Sequence, residues 1–105
     1  MANTFKNSFQ ANVSSNTVCY TAATGVQATL IGMTVGNVTD APVTANVMIN
    51  SGGVNYYLVK NAAVPFGGSL VPIGGDQKVV LEATDSLAVH CSGDCDVAVS
   101  ILEIT

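Results

Sequence analysis

The sequence predicts an all-β chain, an antiparallel β-sandwich of about eight strands, jelly-roll-like or immunoglobulin-like. Three observations point there. Hydrophobic residues make up 49% of the 105 residues and charged ones only 10%, against roughly a quarter in a typical soluble domain. Val and Thr are abundant and there are ten glycines, a mixture that favours strands and tight turns. From residue 17 onward the apolar residues recur with period two, and turn signals interrupt them about every ten residues. A chain of this length is one domain able to bury roughly two-thirds of its unfolded surface. It divides into a polar segment, 1–16, and a sandwich, 17–105.

The first segment, "MANTFKNSFQANVSSN", carries Phe5, Phe9 and Val13 spaced by four, which suits one face of a helical turn or of a strand. Two readings stand. It is an arm whose apolar residues dock on a neighbour, or it is a first edge strand of the same domain. "TVCYTA" opens the strand series. In "VQATLIGMTV" the apolar phase slips between Leu30 and Ile31 beside Gly32, as it does at a β-bulge. "TDAP" (39–42) reads as a turn, with Asp bonding its own backbone and Pro fixing φ. "VTANVMIN" places Val43, Ala45, Val47 and Ile49 inward, and Thr44, Asn46 and Asn50 outward. "SGG" (51–53) closes a hairpin into "VNYYLVK", where Tyr56 and Tyr57 take opposite faces, one in the core and one on the surface. "VPFGGS" is a further turn. "SLVPIGGDQ" holds Pro72, so it is an edge strand or a loop. The glycine pairs 52–53, 67–68 and 74–75 fall at strand ends with no helix following, which makes them turns and not phosphate loops. "KVVLEA", "SLAVHC" and "DVAVSILEI" complete the set.

Net charge is −4, with Lys6, Lys60 and Lys78 the only cations and no Arg. A phosphate-backbone binder needs clustered cations, so nucleic acid is a poor partner. An anionic membrane surface is disfavoured for the same reason. "MANTFKNSFQ" lacks the apolar run of a signal peptide, and no stretch approaches a spanning helix. The expectation is a protein made in a cytoplasm, where thiols stay reduced. Three cysteines, an odd number, also argue against a disulfide scaffold. The Asn-x-Ser/Thr triplets at Asn12 and Asn37 carry no glycosylation meaning there.

One stretch looks reactive: "VHCSGDCDV", residues 89–97. Alternation along a strand puts Leu87, Val89 and Cys91 inward and His90 outward. His90 and Cys91 therefore do not converge on a metal or act as base and thiolate without a local distortion. A structural zinc site wants four N or S ligands, and only Cys19 remains to join His90, Cys91 and Cys95. Thiol catalysis needs a base in reach and a third group to orient it. "CSGDC" is better explained as a three-residue loop, Ser92-Gly93-Asp94, between antiparallel strands, with Gly93 supplying positive φ. Cys91 and Cys95 then face each other and could form a disulfide once outside a reducing cytoplasm. Asp94 and Asp96 suit a solvated acidic turn, the loop being too short to surround calcium. Glu82, Asp85 and Glu103 could suggest the paired carboxylates of a glycosidase, but Trp is absent and there is no nucleophile elbow, phosphate loop or Arg clamp. No cofactor is called for, and the reading is not an enzyme.

The segment "YYLVKNAAVPFGGSLVPIGGDQKVVLEATDSLAV" resembles the second half of small virion structural proteins of tailed bacteriophages. Those carry an aromatic strand, a Lys-Asn turn, Val-Pro-x-Gly-x-Ser-Leu, then Lys-x-Val-Leu-x-x-Gly-Asp-x-Leu-x-Val. The matching residues here include Tyr57, Lys60, Asn61, Val64, Pro65, Gly67, Ser69, Leu70, Lys78, Val80, Leu81, Asp85, Leu87 and Val89. "TVCYTAATGVQATLIGMTVGNVT" is similar to their opening hairpin, so the resemblance covers about residues 17–104. Thr84 departs from the pattern, standing where Gly is expected, and implies a somewhat different turn. The resemblance implies a capsid decoration (cement) protein on the capsid surface of a virion, contacting the major capsid protein as a homo-oligomer, with a trimer favoured. The alternative it implies is a tail-, neck- or fibre-associated module binding a partner protein or host glycan.

Overall fold

The computed structural model describes residues 2–74 and 77–105, which form nine strands and no helix. β1 (Asn3–Val13), β3 (Gln27–Asn37), β6 (Ser69–Ile73), β7 (Val79–Leu81) and β9 (Cys95–Ile104) build one antiparallel sheet. Its order is β1-β9-β3, with β6 and β7 both pairing along the far side of β3. β2 (Thr17–Thr21), β4 (Val43–Ser51), β5 (Val54–Val64) and β8 (Ser86–Cys91) build the other, in the order β2-β8-β4-β5. The two sheets stack as the sandwich the periodicity predicts, drawn out to 45 × 26 × 23 Å. Only the β4–β5 and β6–β7 connections stay within a sheet.

The core is the set of inward positions. Leu30, Val35, Val47, Ile73, Leu81, Leu87, Val89, Val99 and Ile101 are fully buried between the sheets, each contributing about 1.5–3 kcal/mol relative to exposure. Val43, Ala45, Val47 and Ile49 face inward along β4 as their alternation requires. The phase slip beside Gly32 is a bulge, where the β3–β9 register shifts between Leu30 and Gly32. Without it Met33 and Val35 would point to solvent. At the β4–β5 hairpin, Gly52 and Gly53 take φ of 62° and 82°, the two left-handed residues of a tight turn that follows strand twist.

Several expectations change. Residues 3–13 form an edge strand paired with β9, from Asn3 opposite Ile104 to Val13 opposite Cys95, so the edge-strand alternative describes this segment. Phe5, Phe9 and Val13 do not share a face. The register shifts between Gln10 and Val13, where Asn12 adopts φ 56°, and the extra residue turns Val13 into the core while both phenylalanines stay exposed. Tyr56 and Tyr57 are both exposed near the start of β5, the outermost strand of its sheet, which reaches the core only farther along, with Val64 and in part Leu58 and Val59. The bend at 39–41 is held by the buried Asn37 and not by Asp40. The Asn37 amide donates to the Ala41 and Val64 carbonyls, and its Oδ1 accepts from the Thr39 N–H and hydroxyl. Pro72 does lie in an edge strand, β6. In the 74–75 glycine pair, Gly75 lies outside the described residues.

Candidate functional site

The reactive-looking stretch spans the crossing from β8 to β9. These strands belong to opposite sheets, so Ser92-Gly93-Asp94 is an arch across the end of the sandwich and not a hairpin loop between paired strands. Its ends are tied outward: the Ser92 N–H donates to the Thr44 carbonyl, and the Val38 N–H to that of Asp94. Gly93 is required for space, not for positive φ. A Cβ there would sit 2.8 Å from Cγ1 of Val43, because the arch folds down onto β4. Cys91 and Cys95 flank the arch with no exposed surface, and both are free thiols. The Cys91 thiol lies beside that of Cys95 and near Cys19. Burial pushes the Cys91 thiol up to about 12, reinforced by the Cys95 contact, and pushes Cys19 up to about 11. Such thiols stay protonated at neutral pH, and the thiolate is the nucleophile. Sequence spacing pairs Cys91 with Cys95. Only the packing of β2 against β8 brings Cys19 to the same interior.

His90 points outward from β8 while Cys91 points in, as alternation predicts. The Asn46 amide donates to the His90 carbonyl at 3.2 Å, and its Oδ1 accepts from the Asn61 N–H at 2.8 Å. Asn61 holds φ 54° there, a conformation Asn tolerates better than most residues. Asn16, Asn46, Asn55, Asn61, Tyr57 and His90 line a groove of about 360 Å³ on the outside of this sheet. Lys60 lies over the Tyr57 ring at 5.1 Å.

The carboxylates are engaged locally. Tyr20 O–H donates to Glu103 Oε2, and Lys6 Nζ lies 3.2 Å from Glu103 Oε1. The Tyr20 hydrogen bond, aided by Lys6, holds the Glu103 carboxyl below the usual range, while burial and Glu103 raise the Tyr20 hydroxyl. Asp85 accepts from the Glu82 N–H within its own turn, and Asp96 from the Asn12 N–H at the β1 bulge. These groups fasten strand ends. Among the described residues, no group of three or more His, Cys, Asp or Glu is placed to hold a metal ion.

The outer face of the five-stranded sheet is different in kind. Register places Phe5 beside Leu102, Leu102 beside Thr29 and Thr29 beside Val80, one row across four strands. Two rungs along, Phe9, Ala98 and Thr34 make a second row, with Ser100 and Gly32 between the two. Phe5 is 77% exposed, Phe9 69% and Val80 63%. The sequence singled out the phenylalanines but missed Leu102 and Val80 as their neighbours. The available signal was the absence of charge at alternate positions of "DVAVSILEI" after Asp96. Alongside Phe9 runs an apolar groove of about 460 Å³ floored by Gly36, Thr34 and Ala98.

No family model and no curated protein matches the chain. Among solved structures it is similar to a chain of the Bacillus endospore appendages, described as a novel family of disulfide-linked pili, with a TM-score of 0.53 at 14% identity. The match covers 96% of this chain and 85% of that one. At that identity the likeness is one of fold.

Proposed function

We propose that the protein is a non-enzymatic structural component of a bacteriophage virion, a capsid decoration protein that stabilises the lattice of the major capsid protein by surface contact. The observation that carries the reading is the division of labour among its side chains. Asp85, Asp96 and Glu103 are occupied in fastening the fold, and two thiols are buried with raised pKa. Large apolar groups, Phe5, Phe9 and Val80, stand in solvent instead. Exposed apolar patches of this kind mark interaction surfaces. The sequence resemblance to phage virion proteins supplies the setting. The endospore appendages build a pilus from a similar fold, so a repeating assembly is within the reach of this architecture. The test is to omit or strip the protein from particles and follow their integrity on heating. Particles without it should rupture at lower temperature, and unchanged rupture would refute the capsid role.

A second reading, a tail- or fibre-associated module that binds host glycan, is favoured by the asparagine-lined groove with Tyr57 at its wall. Amides match sugar hydroxyls in both donor and acceptor capacity. Binding of neutral oligosaccharides that is lost in Tyr57→Ala, with particle stability unaffected, would favour it over the capsid role.

A further inference from the structure

We infer that the outer face of the five-stranded sheet is an interface with a second copy of this chain. This deepens the assembly reading above and rests on it only in taking surface contact to be the function.

Four observations converge on that face. An antiparallel sheet with one side in the core ordinarily turns a polar side to water. Here the two outer sides differ. The four-stranded sheet carries Val18, Ala88, Met48 and Tyr57 in a row, but sets Thr44, Asn50 and His90 around it and the Lys60 cation over Tyr57, whereas the five-stranded sheet presents the row of Phe5, Leu102, Thr29 and Val80. Among the described strand residues, the only charged side chain on that second side is Asp96, at its rim and already accepting from Asn12. A patch free of charge inside its rim is matched by another of the same kind, and its own copy supplies one.

Size agrees. Four strands abreast at ~4.8 Å and ten residues along at ~3.4 Å give a face of roughly 19 by 34 Å, on the order of 600 Å² in plan. With the relief of two phenylalanines added, this approaches the ~800 Å² per partner that a specific interface buries. Shape agrees as well. Phe9 is a projection standing beside an apolar hollow floored by Gly36 and Ala98. An isologous two-fold contact brings the same patch against itself, so each copy's Phe9 meets the other's hollow. Small residues at Gly32, Ala98 and Ser100 let the second sheet approach to the ordinary ~10 Å separation of stacked sheets. A flat patch that complements itself is satisfied by two copies, so the geometry favours a two-fold pair over the three-fold ring suggested by the sequence resemblance.

Sedimentation equilibrium of the full chain over a wide concentration range is the test. The native protein should reach twice the monomer mass. Ala98→Arg places like charges together and should weaken pairing by about a hundredfold or more, with an unchanged circular dichroism spectrum because the side chain points outward. Phe9→Ser should weaken pairing too, while His90→Arg, on the opposite side of the sandwich, should not. A native chain that stays monomeric throughout, or a pair that survives both Ala98→Arg and Phe9→Ser, overturns the inference. Particle rupture temperature is read separately, so a monomer that still protects particles would remove the pair and leave the capsid role standing.

Discussion

Replacing Thr84 by glycine should stabilise this protein. Thr84 is the third residue of the Glu82–Asp85 turn and has φ 72°, a region where a β-branched residue is a genuine outlier. The turn has no room to relax. The Asp85 N–H donates to the Glu82 carbonyl at 3.0 Å, the Thr84 N–H to Ala22 at 2.8 Å, and the Ala22 N–H back to Asp85 at 3.0 Å. The Glu82 N–H reaches Asp85 Oδ2 as well. Left-handed backbone costs an L-residue about 1–2 kcal/mol, and Gly avoids that cost. Greater freedom of Gly in the unfolded chain takes back about 0.4–1 kcal/mol. The side chain is exposed, so no packing is lost. The net gain is about 1 kcal/mol, or roughly 4–8 °C in Tm for a domain of this size. Thermal unfolding followed by circular dichroism should rank Thr84→Gly above Thr84→Asn, and Asn above the native Thr, because Asn enters this region more readily. A Tm for Thr84→Gly at or below that of the native chain would refute the account of this turn.

Four further outcomes are expected. Cys19 and Cys91 titrate higher folded than unfolded, to about 11 and about 12 from 9.0. Their contribution is thus complete below pH 9 and lost as pH rises above it, and urea titrations from pH 9 to 11 should show a steep fall, shallower in Cys19→Ala. Glu103 has the opposite sign: its lowered pKa stabilises above the ordinary carboxylate value of 4.5 and is lost below it, so Glu103→Gln should flatten the acid limb of the same profile. The Cys91→Ser, Cys95→Ser double variant should fold but lose about 1–3 kcal/mol per buried hydroxyl left without a good partner, and in the native chain iodoacetamide should label all three cysteines only after denaturation. Deleting residues 2–13 should give an aggregating product, since β9 loses its neighbour along ten residues and becomes an exposed edge while Val13 leaves the core; a stable, folded truncation would show that β1 is dispensable to the sheet.

The class of fold is legible along the chain, because period-two burial is a property of each strand taken alone. "VTANVMIN" has to turn Val43, Ala45, Val47 and Ile49 to one side in any sheet. The slip beside Gly32, the Gly52-Gly53 hairpin and the outward His90 were legible for the same reason, each being set within a few residues. Thr84 shows the limit of local reading. A residue other than Gly suggested a different turn, yet the hydrogen bonds to Ala22 impose the glycine conformation on threonine. Which strands are neighbours is set only by packing between them. Period two is blind to whether β8 and β9 pair or lie in opposite sheets, so a hairpin and an arch read alike in "CSGDC". The bulge at Asn12 moves Val13 off the face of Phe5 and Phe9 only because β1 is laid against β9. The row from Phe5 to Val80 joins residues 75 positions apart, and it exists only because β9 and β3 lie between them. A surface made of one side chain from each of four strands has no signal along the chain, since the register that assembles it is set by packing across the sheet.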